Sequence, residues 1–146
     1  MKSKQFHHVV IGALAVLLAA CTGVTPPNLS SVDACNRGKE IYFASYRAYE
    51  KHKFAKALEE AYPWFRMSAE QNHAEGELWL AKMYDFALDF SREGVKVNLG
   101  SPSSTYQQEA EKWYKRAADH GNKQAAEDLA AFRRTGSAVV VKTQSH

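Results

Sequence analysis

Between residues 110 and 118 the chain reads Ala-Glu-Lys-Trp-Tyr-Lys-Arg-Ala-Ala, with apolar side chains at 110, 113, 114, 117 and 118. That spacing is one face of a 3.6-residue helix, and the charged residues between fill the other face. The same text stands 49 residues earlier as Ala61, Trp64, Phe65, Ser68 and Ala69. The residues after each stripe recur too: Glu70-Gln71-Asn72-His73-Ala74 is answered by Asp119-His120-Gly121-Asn122-Lys123, and Leu80 by Leu129. Two copies in register predict a repeated helix-turn-helix unit.

Extending the pattern along the chain predicts an all-α fold of five helices, a short α-solenoid. The first covers 34–51, capped by Asp33, with Ile41, Tyr42, Ser45, Tyr46 and Tyr49 as its packed stripe. The second covers 54–71 and contains Pro63, which removes a backbone donor and predicts a kink or break near 60–63. Asn72 suits the left-handed position after a helix, as Gly121 does in the second copy. The third, 73–90, is apolar over much of its circumference, from Leu78 to Phe90, which predicts packing on two sides.

Residues 91–103 read as a loop of about a dozen residues, where roughly 2 to 8 is usual between helices. Ser104 with Gln107, or Thr105 with Gln108, offers a capping box for a fourth helix over 105–120. Asn122 caps a fifth, whose face is Ala125, Ala126, Leu129 and Phe132 and which ends near Arg134. Residues 135–146 are a tail, in which Ala138 to Val141 either pair as a short strand or trail loosely.

The front of the chain has another character. Lys2, Lys4, His7 and His8 precede an unbroken small and apolar run from Val9 to Ala20. A run of about a dozen residues is too short to span a bilayer, which takes roughly 20, and reads as an export signal. It ends in Leu18-Ala19-Ala20-Cys21, which resembles the lipobox of bacterial lipoproteins. That resemblance implies removal of residues 1–20 and acylation of Cys21. The alternative is an ordinary secretory signal in which Cys21 is incidental. Residues 21–33, with Pro26 and Pro27, form a tether ahead of the helical domain at 34–134. Thr22 stands where enterobacterial lipoproteins retained in the inner membrane carry Asp, so the resemblance favours the outer membrane, facing the periplasm.

Lipidation of Cys21 leaves Cys35 without a partner in its own chain, as a buried thiol or as half of an intermolecular disulfide. The formal charge of +3 falls to about +1 once Lys2 and Lys4 are removed, too little for a nucleic-acid footprint.

The repeat resembles the Sel-one-like repeat, a relative of the tetratricopeptide repeat. The residues that carry it are Ala110, Trp113, Tyr114, Ala117, Ala118, Gly121, Asn122, Ala125 and Leu129, matched by Trp64, Phe65, Ala69, His73, Ala74, Leu80 and Tyr84. The family's unit is a helix-turn-helix of about 36 residues, so the 49-residue spacing implies an insertion around 86–105, where Gly94-Val95 is similar to the family's loop. The resemblance implies that the curved face binds protein or peptide partners. Two other functions stay open beside this adaptor role. Some cysteine-rich relatives are linked to peptidoglycan or β-lactam binding, which implies a cell-wall enzyme or inhibitor, although this chain lacks their cysteine pairs. The third is a passive structural lipoprotein.

Catalytic patterns are absent from the sequence. His52, His73, His120 and His146 form no His-Glu-x-x-His and have no cysteine at metal-ligand spacing, so neither a metal nor a cofactor is expected. His73 reads as a helix cap. Glu59-Glu60, Glu75-x-Glu77 and Asp85-x-x-x-Asp89 read as solvated faces. No Gly-x-Ser-x-Gly or Ser-x-x-Lys occurs, and the chain is expected not to be an enzyme. Trp64 and Trp113 are expected at equivalent places in the core. The expected partner surface is then Glu59, Tyr62 and Arg66 on the second helix with Gln108, Lys112 and Lys115 on the fourth, and the long loop folds over it.

Overall fold

The computed structural model describes residues 29–46 and 50–139. Among them are five α-helices: α1 (Ser31–Tyr46), α2 (Lys51–Glu70), α3 (Ala74–Arg92), α4 (Tyr106–Asp119) and α5 (Lys123–Thr135). A single 3-10 turn, Ser103–Thr105, precedes α4. Each helix runs back along the one before it, as the side-chain pairs show. Tyr42 meets Phe54, Tyr62 meets Tyr84, Tyr114 reaches Asp85, and Tyr114 packs on Phe132. The fold is all-α, as the periodicity predicts.

The repeat register is visible in burial. Ala61 and Ala110 are fully buried, as are Phe65 and Tyr114, and Ser68 and Ala117. Burying one large side chain of this kind is worth about 1.5–3 kcal/mol. The third helix is packed on both sides, with Leu78, Leu80, Met83, Tyr84, Ala87 and Phe90 all in the core. Two glycines set how closely neighbours approach. A Cβ at Gly38 would stand 2.7 Å from the Phe65 ring, and one at Gly76 would stand 2.2 Å from Ser68 Oγ. Both crossings depend on the missing side chain.

Several boundaries differ from expectation. Helix α1 begins at Ser31, three residues inside the expected tether, because Ser30 and not Asp33 is its cap. The Ser30 hydroxyl donates to Asp33 Oδ2 at 2.6 Å and accepts from the Asp33 amide at 3.1 Å, an N-cap whose hydroxyl is oriented by the aspartate. Residues 47–49 lie outside the described residues, and so does the expected contact of Tyr49. Helix α2 continues through Pro63 without a break, since its proline costs one donor while the packing of Ala61, Phe65 and Ala69 is retained.

No capping box forms at α4. Thr105 instead donates its hydroxyl back to the Pro102 carbonyl at 2.7 Å, closing the 3-10 turn. Ala126 is exposed, so the buried face of α5 is Ala125, Leu129 and Phe132.

The two segments read as loose are tied down. After α3, Val97 and Leu99 are buried, and the hydroxyl of fully buried Tyr106 donates to the Val97 carbonyl at 2.7 Å and accepts from the Leu99 amide at 3.3 Å. After α5, the amides of Ala138 and Val139 donate to Asp85 Oδ2 at 2.8 and 3.2 Å, and Ser137 donates to Asp89 at 2.9 Å. No strand forms in the described part, and residues 140–146 lie outside it.

Candidate functional site

Helices α2 and α4 both pack on α3 and leave a groove between them of about 440 Å³. The wall from α2 is Tyr62, Arg66 and Glu70, spaced i, i+4, i+8 and therefore on one face. Opposite stand Glu109, Lys112 and Trp113 of α4. Leu80 and Tyr84 of α3 form the floor, and Gly100, Ser101 and Pro102 close one end. The loop is drawn there by Glu59, whose carboxylate accepts from the Asn98 amide at 2.6 Å.

Its charges are paired within each wall. Arg66 meets Glu70 at 2.8 Å, which holds the guanidinium above its ordinary range, and Lys112 meets Glu109 at 3.0 Å. Glu109 also accepts from Trp113 Nε1 at 3.1 Å, while Lys112 and Arg116 sit 5.2 and 5.0 Å from the centre of that indole ring. Within the groove, the Tyr62 and Tyr84 hydroxyls share one hydrogen bond of 2.8 Å. Burial raises the Tyr84 hydroxyl well above the usual phenol range, so it stays protonated. Ser101 Oγ is buried beside it and has no partner at hydrogen-bonding geometry.

Of the six residues expected to form the partner surface, the structure brings Tyr62, Arg66 and Lys112 together in this groove. Glu59 fixes the loop from outside it. Gln108 is exposed beyond the groove, and Lys115 is ion-paired with Asp119. Cys21, the expected lipidation site, lies outside the described residues. Leu80 and Tyr84, which read only as core in the sequence, also supply the groove floor. Ser101 and Pro102 are legible there only as loop. Tyr106, which holds that loop, extends the Ala110, Trp113 and Ala117 stripe by one turn, and that spacing is its signal.

Trp64 departs from its repeat partner. It is half-buried outside the core, whereas Trp113 is 8 % exposed within it. Phe65 and Tyr114 carry the equivalence instead, because the neighbour of α2 on that side is Gly38 of α1, which admits the Phe65 ring.

Two polar clusters outside the groove have structural partners. Ser68 Oγ lies 2.6 Å from the Ser31 carbonyl, to which it donates, and 2.9 Å from His73 Nδ1. The Gly76 amide donates to that ring nitrogen at 3.3 Å, so His73 caps α3. The hydroxyl is fully buried, which denies it the access a nucleophile needs. Glu77, fully buried on α3 where the sequence suggests a solvated carboxylate, lies 2.7 Å from both Arg116 Nε and His120 Nδ1. The Arg116 contact is ionic without hydrogen-bond alignment. Arg116 reaches on to Asn72 Oδ1 at 2.6 Å, knitting the second repeat to the turn of the first.

Cys35 is buried and free, its thiol pushed up to about 11 by desolvation and by the Glu75 carboxylate. Its burial fits the first of the two states the sequence leaves open, a buried thiol. Among the described residues no grouping of His, Cys, Asp or Glu could hold a metal ion, and no helix is long and apolar enough to cross a membrane. Comparison of the chain with protein-family models, with curated proteins and with solved structures finds no match.

Proposed function

We propose that the chain is a lipid-anchored adaptor of the bacterial envelope, whose helical domain binds a protein partner in the groove between α2 and α4. The observation that carries this is the groove itself. It gathers an aromatic floor and wall and paired charges on a framework of packed helices. Such concave, mostly apolar surfaces with a few polar groups are the usual form of a binding site. The resemblance of the repeats to Sel-one-like units supports the same reading.

The anchor rests on Leu18-Ala19-Ala20-Cys21 and on the tether at 21–33, which would hold the domain at a membrane surface facing the periplasm. Two or more acyl chains hold a protein stably where one does so only marginally. Wild type is therefore expected in the membrane fraction after a high-salt wash, and Cys21→Ser as a soluble or unprocessed precursor. Mass spectrometry that finds no acyl chain on the wild type would end the anchor reading.

The adaptor role is tested by capture from solubilised envelopes with wild type and with the Arg66→Glu, Lys112→Glu double variant. Exposed charges contribute about 0 to 1 kcal/mol, so the variant should fold normally and lose its partner. Sedimentation with purified peptidoglycan separates this role from a cell-wall function. Undiminished capture by the folded variant moves the binding face elsewhere.

A further inference from the structure

A lipid anchor at Cys21 would also set how the helical domain stands on the membrane. We infer that one edge of α1, carrying Val32 and Phe43, seats on the lipid surface, a reading that rests on the anchor proposed above.

Three observations lead there. First, Val32 and Phe43 are the large apolar side chains left exposed among the described residues, at 51 % and 50 %. About three helical turns, or roughly 16 Å, separate them with about 20° of drift, so both lie on one edge of α1. The Phe43 ring stands edge-on to part-buried Trp79 at 5.6 Å, which extends that edge onto α3. Scattered exposed apolar residues are ordinary on a surface, but these coincide on the helix nearest the anchor.

Second, the tether leads to this edge. Thr22 to Ser30 join Cys21 to α1 and span at most about 35 Å when extended. Val32 is in the first turn of α1, so the edge begins where the tether ends. A link that short holds α1 beside the bilayer at an effective concentration on the order of millimolar. A soluble partner has no such advantage.

Third, the charges on the edge are neutralised. Lys39 lies on it and is paired with Glu75 at 2.8 Å, while Lys82 lies over the Trp79 ring and is paired with Asp128 at 3.2 Å. Asp33 and Glu40 stand about 80 to 100° further round α1, off the edge, where Glu40 is paired with Arg37. The edge thus brings apolar side chains to lipid, flanked by lysine stems able to snorkel. Leu80 and Tyr84, the groove floor, lie about 100° and 140° around α3 from Trp79, so this seating turns the groove away from the bilayer.

The test uses the full mature, acylated protein in vesicles of phosphatidylethanolamine and phosphatidylglycerol. Asn36→Cys places an NBD fluorophore between Val32 and Phe43, and Gln108→Cys places one on the exposed side of α4. Cys35 is buried and stays unlabelled in the folded protein. Phospholipid spin-labelled at the headgroup should remove most emission from the Asn36 label and little from the Gln108 label. Val32→Ser with Phe43→Ser, both at exposed positions, should abolish that loss and leave the helical circular dichroism unchanged.

An unquenched Asn36 label on acylated protein overturns the inference and leaves the anchor standing. So does quenching that the double serine variant retains. An Asn36 label shielded from aqueous iodide but not quenched by lipid, with the shielding lost on dilution in the vesicles, assigns the edge to a second copy and also overturns the inference. A wild type without acyl chains by mass spectrometry ends the anchor reading and the inference with it.

Discussion

Asn72 and Gly121, 49 residues apart, hold the same left-handed backbone at φ 60° and 87°. Each ends the first helix of its repeat with the same pair of bonds. The Asn72 amide donates to the Ala69 carbonyl and the His73 amide to Ser68, while the Gly121 amide donates to Ala118 and the Asn122 amide to Ala117. Residues at this φ other than glycine are strained, asparagine least. Gly121→Ala should therefore destabilise by about 1–2 kcal/mol through backbone strain alone, since nothing lies within 4 Å of the added Cβ. Gly121→Asn should cost less. Chemical denaturation of the three proteins measures this, and an alanine variant as stable as wild type would mean that the turn relaxes.

The two tryptophans should respond unequally although they share a repeat position. Trp113 is buried, bonded to Glu109 and overlaid by two cations, whereas Trp64 is half-buried and outside the core. Trp113→Ala is expected to cost about 3–5 kcal/mol, a large share of the 5–15 kcal/mol typical of a domain. Trp64→Ala should cost clearly less. Denaturation midpoints that fall equally for both would restore the equivalence that the repeat implies.

What the sequence shows well is periodicity that a helix imposes locally. The Ala110–Ala118 stripe, its copy at 61–69 and the turn at Asn72 are all readable, because each depends on neighbours within one or two turns. What it hides depends on partners far along the chain. Ala138 and Val139 look like tail because the residue that holds them, Asp85, is more than fifty positions away and itself reads as solvated. Pro63 looks like a break because the sequence shows the missing donor and not the packing that keeps α2 whole. The insertion between repeats looks like one loop. Part of it is helix, since α3 has 19 residues against 13 in α5. Of the site, wall residues on both helices can be found from the outward phase. The floor cannot, since Tyr84 reads as core whether or not a groove opens above it.

Asp85 makes the last prediction. Its side chain is fully buried, and burial raises its carboxyl above the ordinary value of 3.8 despite bonds from the Ala138 amide and Tyr114; nearby Asp89 raises it further. Oδ2 accepts from the Tyr114 hydroxyl and from the amides of Ala138 and Val139, while Oδ1 is buried without a partner. The arrangement therefore needs an acceptor there more than it needs a charge. Asp85→Asn keeps a carbonyl oxygen for the two amides and removes the buried charge, so it should be neutral to stabilising at pH 7. Asp85→Ala leaves buried donors unmet and should cost about 1–3 kcal/mol. The sign of the pH dependence comes from the raised value. A carboxyl raised in the folded state weakens folding as pH climbs from 3.8 through its folded-state pKa, and contributes no such penalty below 3.8. The advantage of Asp85→Asn over wild type should thus be greatest at neutral pH and vanish on acidification. Urea denaturation of the three proteins at pH 7 and near pH 3.5 measures it. If the asparagine variant is as unstable as the alanine variant at pH 7, with no narrowing in acid, the C-terminal segment is held by the charge of Asp85 and not by its oxygen.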